Sequence, residues 1–297
     1  MSRGSSQTLP LAPGILLRGR YRLQRVVGRG RTAIVFAADD EQHGARAAAA
    51  GELAVKILRP EHADDAAERD ALQIEGETLH ALRHPYIPRL VESGAARTIP
   101  FLVMEMIPGP DLDHESRRQS PISPIDIGHL LGGAAEALAF MHGRGFVHAD
   151  VKPGNLRRGD DGAARLVDFG TARPAGQAPV LRGGRAGAAL DRILTPAYAS
   201  PQLMHGMPPV PADDIYGLAV VAYQLAAGGH PYGGRAPLPG DVLVRPEGLG
   251  PSGWTWLRDA LAIDQTARPS DPRGLTAALL ADFPMVRLLR RLSPWRG

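Results

Sequence analysis

The residues most able to carry out chemistry lie in two short tracts in the second half of the sequence. Residues 147–155 read Val-His-Ala-Asp-Val-Lys-Pro-Gly-Asn, and Asp168-Phe169-Gly170 follows further along. Asp150 can orient a hydroxyl and accept its proton, and Lys152 can neutralise charge on a transferred phosphate. Asn155 and Asp168 offer hard oxygen ligands that suit Mg²⁺ better than Zn²⁺. A base, a cation and two metal ligands are what phosphoryl transfer from a nucleotide requires.

These two tracts resemble the catalytic loop and the metal-binding segment of eukaryotic-like (bacterial Hanks-type) serine/threonine protein kinases. The resemblance implies an α+β fold of two lobes, with a small strand-rich N-lobe and a larger helical C-lobe. It further implies ATP and Mg²⁺ as cofactors, Mn²⁺ as an alternative metal, and protein substrates that present Ser or Thr hydroxyls. Asp150 and Lys152 would then be catalytic residues, and Asn155 and Asp168 would bind the metal.

A glycine-containing segment near the start of the chain resembles the nucleotide-binding loop of the same family. Gly28 and Gly30 lie between apolar residues and allow backbone amides to approach phosphates closely. Ala33 occupies the position of the family's third glycine, so we expect this part of the loop to be stiffer or to lie slightly further from the nucleotide. The residues that the resemblance assigns to nucleotide binding here are Val27, Gly28, Arg29, Gly30, Arg31, Thr32, Ala33, Ile34 and Val35.

A lysine and a glutamate downstream of this loop are predicted to form an ion pair. Ala54-Val55-Lys56 resembles the family's third strand, whose lysine contacts the α- and β-phosphates. Residues 66–82 are rich in Ala, Leu and Glu, which indicates a helix, and Glu75 stands at the family's position within it. Glu77 is the competing carboxylate, but at that spacing on a helix it faces another side. We therefore predict that Glu75 holds Lys56 and that both residues are catalytic.

The resemblance also implies roles for residues outside these motifs. A strand at residues 101–106 would lead into the hinge between the lobes, where backbone groups of Glu105 and Met106 would bond an adenine. Asp214 precedes an apolar run and would cap the backbone of the catalytic loop from a buried central helix. We predict that His148 is a packing residue and not the catalytic base.

Departures from the family's pattern concern regulation and stability. Ala149 replaces the arginine that binds a phosphorylated activation segment in relatives, and residues 172–194 contain no Ser or Thr. We therefore predict activity without phosphorylation of that segment. Gln202 stands where the family has a glutamate paired with a late arginine, here Arg268. Losing that charge costs about 1–3 kcal/mol unless another carboxylate compensates, so Gln202→Glu is expected to raise thermal stability.

The prediction that Ser or Thr hydroxyls accept the phosphoryl group depends on two residues. Lys152 follows the base, and Thr195 precedes Pro196 in the substrate-docking loop, as in the serine/threonine branch of the family, where this threonine bonds the base. Two other classes stay open, namely a small-molecule phosphotransferase of the same fold and a catalytically silent scaffold that binds partners. Two further points are left open: whether a regulatory partner positions the helix bearing Glu75, and which oligomeric state the protein has.

Composition indicates one enzyme-sized chain and limits its partners. The 297 residues are 44% hydrophobic, which is enough to bury a sizeable core. A net charge of +3, from 34 basic and 31 acidic residues, gives no reason to expect nucleic acid as a partner. The absence of cysteine excludes disulfides and thiol switches. The longest apolar run, around residues 218–227, is too short to cross a membrane and no secretion signal is evident, so we expect a cytoplasmic location.

The domain organisation predicted from these motifs has three parts. They are a flexible segment over residues 1–20, a kinase domain over 21–283 with its N-lobe at 21–105 and its C-lobe at 106–283, and a basic tail over 284–297. Residues 37–52 are predicted to form a long disordered or partly helical connection. Aspartates occur in pairs at 39–40, 64–65, 160–161 and 213–214, of which the first three are expected in loops or at a helix start. Only Asp214 receives a specific role.

Overall fold

The computed structural model describes residues 11–42, 52–119, 121–177, 195–238 and 240–283. The chain divides into two compact units of unequal size. The first unit runs to Arg83 and includes Pro88–Met106, and the second consists of His84–Ile87 and the residues from Ile107 onward. The division after Met106 lies next to the predicted lobe boundary, whereas the assignment of His84–Ile87 to the second unit is a feature that the sequence did not predict.

An antiparallel six-stranded sheet forms the core of the first unit, in the order β1-β2-β3-β4-β6-β5. The strands are β1 (Leu16–Leu17), β2 (Tyr21–Arg29), β3 (Ala33–Asp40), β4 (Leu53–Leu58), β5 (Leu90–Ala96) and β6 (Ile99–Glu105). Tyr21, Phe36 and Phe101 are buried in its apolar core. β1 pairs with β2, and Leu17 is buried. The segment predicted to be flexible up to residue 20 therefore contributes a strand to this sheet.

β3 is longer than the sequence predicts. The connection was expected to begin at Ala37, but β3 runs to Asp40 and pairs with β2 as far as Tyr21. Asp40 is buried and accepts a hydrogen bond from Arg20 Nη2 at 2.8 Å. Asp39 is exposed, as expected for the opposite face of a strand. The prediction of a loop at this aspartate pair was wrong, because a two-residue period can bury one charge and expose the next.

The predicted helix before His84 is present as α1 (Ala66–Ala81) and packs close to the sheet. Asp65 caps its first turn by accepting a backbone hydrogen bond of 2.9 Å. Gly76 allows α1 to approach β6, since a Cβ atom at this position would lie 2.8 Å from Leu102 Cδ2. This close approach brings the neighbouring Glu75 to the sheet.

The second unit is mainly helical. Its described helices are α2 (Leu112–Gln119), α3 (Pro124–His142), α4 (Pro201–Met204), α5 (Pro211–Ala227), α6 (Pro251–Ala260) and α7 (Gly274–Ala281). Proline begins α3, α4, α5 and α6, where its missing N–H leaves no hydrogen bond unmade. Nearly every residue of α5 from Asp213 to Ala226 is buried, so the predicted central helix is confirmed. It ends because Gly228 adopts a left-handed conformation with φ +73°.

Two pairs of short strands bring the chemical tracts together in the second unit. β7 (Phe146–Val147) pairs with β10 (Arg173–Pro174), and β8 (Leu156–Arg158) pairs with β9 (Ala164–Leu166). The tract with Asp150 lies between β7 and β8, and Asp168 lies between β9 and β10. The strand pairing therefore sets the two tracts side by side although they are separated in sequence.

Some predictions concern parts of the chain that the structure does not describe. Most of the connection at 37–52, the greater part of 172–194 and the basic tail from residue 284 lie outside the described residues. Among the helices within the described ranges, none is long and apolar enough to cross a membrane.

Candidate catalytic site

Lys56 and Glu75 form the predicted ion pair in the first unit. Lys56 Nζ lies 2.7 Å from Glu75 Oε2 and 2.9 Å from Oε1. The side chains are 17% and 3% exposed, respectively, so the pair is largely shielded from water and its attraction is correspondingly stronger. Glu77 instead accepts a hydrogen bond of 2.8 Å from Gln73. The choice of Glu75 is confirmed, and it holds the lysine ammonium at a defined place on β4.

Side chains outside the glycine-containing loop hold it in place. Arg59 donates to the Gly30 carbonyl through Nη2 at 2.9 Å and Nε at 3.2 Å. Arg31, within the loop, pairs with Glu68 of α1 at 2.9 Å. Ala33, in place of the third glycine, is buried as the first residue of β3.

Backbone groups at the end of β6 are only partly available for an adenine. Glu105 N donates to Arg89 O at 2.9 Å, and Met106 N donates to Glu52 O at 3.1 Å. The predicted adenine contact cannot use the Met106 amide in this arrangement, because that donor is already engaged. The amide of Ile107, the next residue, donates to no acceptor among the described residues.

Asp150 is the centre of a polar cluster in the second unit. Lys152 Nζ lies 2.6 Å from Asp150 Oδ2 and donates to Thr195 Oγ1 at 2.8 Å. Asn155 Nδ2 donates to the same carboxylate oxygen and to the Asp150 carbonyl, both at 2.9 Å. Thr195 was expected to bond the base directly, but it is linked to Asp150 through Lys152. The cluster fixes the carboxylate of Asp150 from two sides.

The surroundings of Asp150 raise the pKa of its carboxyl group above the usual value. Burial is the main cause, and the nearby negative charge of Asp168 adds to it. The charge and hydrogen bond of Lys152 oppose the rise. A carboxylate with a raised pKa holds a proton more strongly, which suits a general base.

Asn155 and Asp168 present oxygen atoms that fit a hard divalent cation. The amide nitrogen of Asn155 makes the hydrogen bonds to Asp150, and its Oδ1 makes none among the described residues. Asp168 is exposed and has φ +63°, a strained conformation for a residue other than glycine. The described residues contain no group of three or more His, Cys, Asp or Glu suited to a metal. A bound Mg²⁺ would thus take its remaining ligands from phosphates and water, as this ion commonly does.

Asp214 of α5 fixes the backbone of the catalytic tract, as predicted. Its Oδ2 accepts hydrogen bonds from His148 N at 2.9 Å and His142 Nε2 at 2.8 Å, and its Oδ1 accepts one from Ala149 N at 2.8 Å. Ala149 has φ +64°, which costs about 1–3 kcal/mol and must be maintained by its surroundings. The buried carboxylate provides that support, and His142 is a partner that the sequence did not reveal.

His148 is completely buried, as expected for a packing residue. Its Nε2 lies 3.2 Å from Val167 O, and its Nδ1 lies 3.4 Å from Asp150 N. The ring packs edge-on against Phe169 with centroids 5.2 Å apart. Both ring nitrogens therefore face backbone groups, and the prediction of a packing role is confirmed.

Arg268 is buried, and its charge is compensated by Asp213, a residue for which the sequence predicted no role. Its Nη2 donates to Gln202 Oε1 at 2.7 Å, and its Nη1 lies 3.6 Å from Asp213 Oδ1. Asp213 also accepts a hydrogen bond of 2.5 Å from Ser200 Oγ. Burial raises the pKa of Asp213, and the charge of Arg268 opposes that rise. Gln202 Nε2 donates to Ile263 O at 2.7 Å, so the expected benefit of Gln202→Glu loses its basis.

A strand-rich unit with a buried Lys–Glu pair and a helical unit with an Asp–Lys–Asn cluster are features of a domain of the protein kinase type. The family model described as "Protein kinase domain" matches residues 21–238, and the chain belongs to that family. The predicted protein kinase fold is thereby confirmed.

The chain is similar to bacterial serine/threonine-protein kinases. It is 34% identical over 267 residues to PkaA of Streptomyces coelicolor, with 84% of this chain and 48% of that protein covered. It is 33% identical over 231 residues to PknA of Mycobacterium tuberculosis, with 76% and 51% covered. The chain thus spans about half the length of these curated relatives.

A solved structure supports the same assignment. The crystal structure of the Mycobacterium tuberculosis PknI kinase domain superimposes with a TM-score of 0.68 at 25% sequence identity. The superposition covers 92% of this chain and 99% of that one. The likeness therefore extends over nearly all of a complete kinase domain.

Proposed function

We propose that this chain transfers the γ-phosphoryl group of ATP, with Mg²⁺, to Ser or Thr hydroxyls of protein substrates. The observation that carries the proposal is the cluster in which Asp150 contacts both Lys152 and Asn155, while Lys152 also contacts Thr195. The cluster holds a base, a cation and an amide oxygen that can bind a metal within one compact unit. These are the parts that phosphoryl transfer needs, since the protein mainly positions the reactants and stabilises charge.

Each residue of this cluster has a distinct task in the proposed reaction. Asp150 orients the acceptor hydroxyl and takes its proton, and burial helps by raising the pKa of this carboxyl group. Lys152 neutralises charge on the phosphoryl group in transfer. Asn155 and Asp168 would hold Mg²⁺, which when bound neutralises charge on the phosphates.

The first unit would bind the nucleotide. The ammonium of Lys56, held by Glu75, suits the α- and β-phosphates, and the backbone of residues 27–35 suits the phosphate chain. For the adenine we assign the carbonyl of Glu105, because the amide of Met106 already donates to Glu52 O. The names of the bacterial relatives, which are serine/threonine-protein kinases, support transfer to Ser or Thr.

Activity is proposed not to depend on phosphorylation of residues 172–194. The basis is the replacement of the family's arginine by Ala149 and the absence of Ser and Thr from that segment. Phosphosite mapping after incubation with Mg-ATP, followed by phosphatase treatment, is expected to show unchanged activity and no phosphate in the segment. A large loss of activity together with loss of a phosphate from it would overturn the proposal.

The function is tested with purified wild-type chain, labelled ATP, Mg²⁺ and a generic protein acceptor. Asp150→Asn keeps the size of the side chain but removes the base, and is expected to lower kcat by about 100-fold or more. Asp160→Asn, at an exposed aspartate on a turn, is the matched control and should retain wild-type activity. Phosphate on Ser or Thr of the acceptor supports the proposal.

Two alternative outcomes separate the other functions. A panel of small hydroxyl compounds is assayed beside the protein acceptor, and transfer to those compounds alone would identify a small-molecule phosphotransferase. Lys56→Ala is compared with wild type for its biological effect. A wild-type chain that transfers no phosphate, with an unchanged effect for Lys56→Ala, would indicate a scaffold.

A further inference from the structure

A tight turn begins at Thr195. Tyr198 N and Ala199 N both donate to Thr195 O, at 2.9 Å and 3.1 Å. Thr195 is also the residue whose hydroxyl accepts the hydrogen bond from Lys152. Residues 195–199, here called the docking turn, are therefore joined directly to the catalytic cluster, and the resemblance places acceptor docking at this loop.

His230, far from this turn in sequence, is anchored to it. Its Nε2 lies 2.7 Å from Ala197 O, and its Nδ1 lies 3.0 Å from Tyr232 N. Its ring also meets two tyrosine rings edge-on, Tyr198 at 5.6 Å and Tyr232 at 6.2 Å between centroids. Tyr232 is buried, so the imidazole connects the docking turn to a fixed point of the second unit.

Only one protonation state of His230 satisfies both hydrogen bonds. The carbonyl of Ala197 needs a donor, so Nε2 must carry a proton, whereas the amide of Tyr232 needs an acceptor, so Nδ1 must carry none. A second proton would set an N–H of the ring against the N–H of Tyr232. The neutral form with hydrogen on Nε2 is therefore the one that fits.

The groups that face His230 disfavour its charged form. Burial lowers the pKa of the imidazole, and the positive charge of Arg235 lowers it further, while the hydrogen bond to Ala197 opposes both. Arg235 is itself held by Asp241, with Nη2 to Oδ1 at 2.7 Å. Two other titratable side chains pack against the imidazole: Tyr198 of the docking turn and Tyr232 of the connection after α5.

We propose that His230 is a positioning residue whose neutral imidazole holds the docking turn in place for the acceptor, so that acidification weakens acceptor docking before it affects nucleotide binding. This inference rests on the proposed function, because it concerns the acceptor side of the same reaction. It adds a pH-sensitive anchor to a turn whose other end is fixed by Lys152.

The kinetic test uses wild type, His230→Phe and His230→Gln, assayed between about pH 5.5 and 8. His230→Phe keeps a ring but removes both hydrogen bonds, and should raise KM for the protein acceptor about threefold to tenfold near neutral pH. KM for ATP should stay within about twofold. His230→Gln can still donate to Ala197 O and should recover part of the loss. His80→Phe, at an exposed histidine of α1, is the control and should behave as wild type.

The pH profile distinguishes positioning from a merely structural role. As the pH falls through the pKa of His230, which burial lowers below its usual value of about 6.5, KM of the wild type for the acceptor should approach that of His230→Phe, because the protonated wild type loses the same anchor. A ratio between the two that does not change with pH would overturn the proposal. If His230→Phe raised KM for the acceptor and KM for ATP equally, the proposal would also be overturned, since equal rises indicate a general loss of structure.

A readout that needs no activity completes the test. Long-range ¹H–¹⁵N NMR of the wild-type histidines, with the His230→Phe spectrum as assignment, should show His230 with hydrogen on Nε2 and a pKa below about 6.5. A proton on Nδ1, or a pKa above that value, would refute the anchor. If wild type transferred no phosphate, the proposed function would fail, whereas this measurement would still decide the state of His230.

Discussion

Replacing Asp214 by Asn tests the support that α5 gives to the catalytic tract. The carboxylate is fully buried and accepts hydrogen bonds from His142, His148 and Ala149 at 2.8, 2.9 and 2.8 Å. An asparagine keeps one acceptor oxygen of nearly the same shape. Its NH₂ group, however, would face a donor that needs an acceptor, so the change removes bonds without opening a cavity.

The size of the effect follows from the bonds that are lost. A hydrogen bond to a charged group contributes about 1.5–3 kcal/mol, and a buried donor left unpaired adds to the cost. Losing two of the three bonds gives about 3–6 kcal/mol of destabilisation for the second unit. At about 2–4 °C per kcal/mol for a unit of this size, Tm should fall by about 6–24 °C. Ala149 would also lose support for its φ of +64°, so kcat should fall.

Thermal and urea unfolding, followed by tryptophan fluorescence, measures the effect on the second unit, where Trp254 and Trp256 lie in α6. Asp160→Asn makes the same chemical change at an exposed site and should alter stability by less than about 0.5 kcal/mol. If Asp214→Asn shifted stability by no more than this control, the account of Asp214 as the support of the tract would be wrong.

Two further predictions concern packing and charge. Gly217→Ala should destabilise the second unit by about 1–3 kcal/mol and lower kcat, because its Cβ would lie 2.7 Å from Val151 O in the catalytic tract. The control is Gly132→Ala in α3, where the atom nearest to the new Cβ is Thr276 Oγ1 of α7 at 3.7 Å. This change should be neutral or stabilising. Urea titration of both variants measures this, and equal effects would contradict the packing argument. Gln202→Glu should leave Tm nearly unchanged, since Asp213 already faces Arg268 and the new carboxylate would lose the hydrogen bond to Ile263 O. A clear rise in Tm by calorimetry would show that the charge of Asp213 does not suffice.

The parts of the site that the sequence predicted well depend on local patterns. Glu75 was chosen over Glu77 because a helix turns its residues by a known angle, and the ion pair with Lys56 follows that choice. The order of Asp150, Lys152 and Asn155 was similarly sufficient to predict that these three side chains meet, because they lie within one short tract.

The predictions that failed concern residues whose role depends on distant partners. Asp213 received no role because nothing local to it reveals that Ser200 and Arg268 meet its carboxylate. Asp39 and Asp40 fall in the connection predicted after Phe36, yet they lie on a strand and Arg20 compensates the buried Asp40. Nothing local to Met106, whose backbone is predicted to contact an adenine, indicates that Glu52 O engages its amide.

The sequence by itself determined the chemical groups and their local order: a base, a lysine after it, two oxygen ligands, and a helix that presents one glutamate to a strand lysine. Residue type and backbone period are enough for that, because they act over one or two turns of chain. Only the tertiary structure decided which donors and acceptors are already used, which charges are compensated and which loops are anchored. Those outcomes depend on hydrogen bonds such as those of Asp214 and His230, which join residues far apart in sequence and form only when the unit is packed.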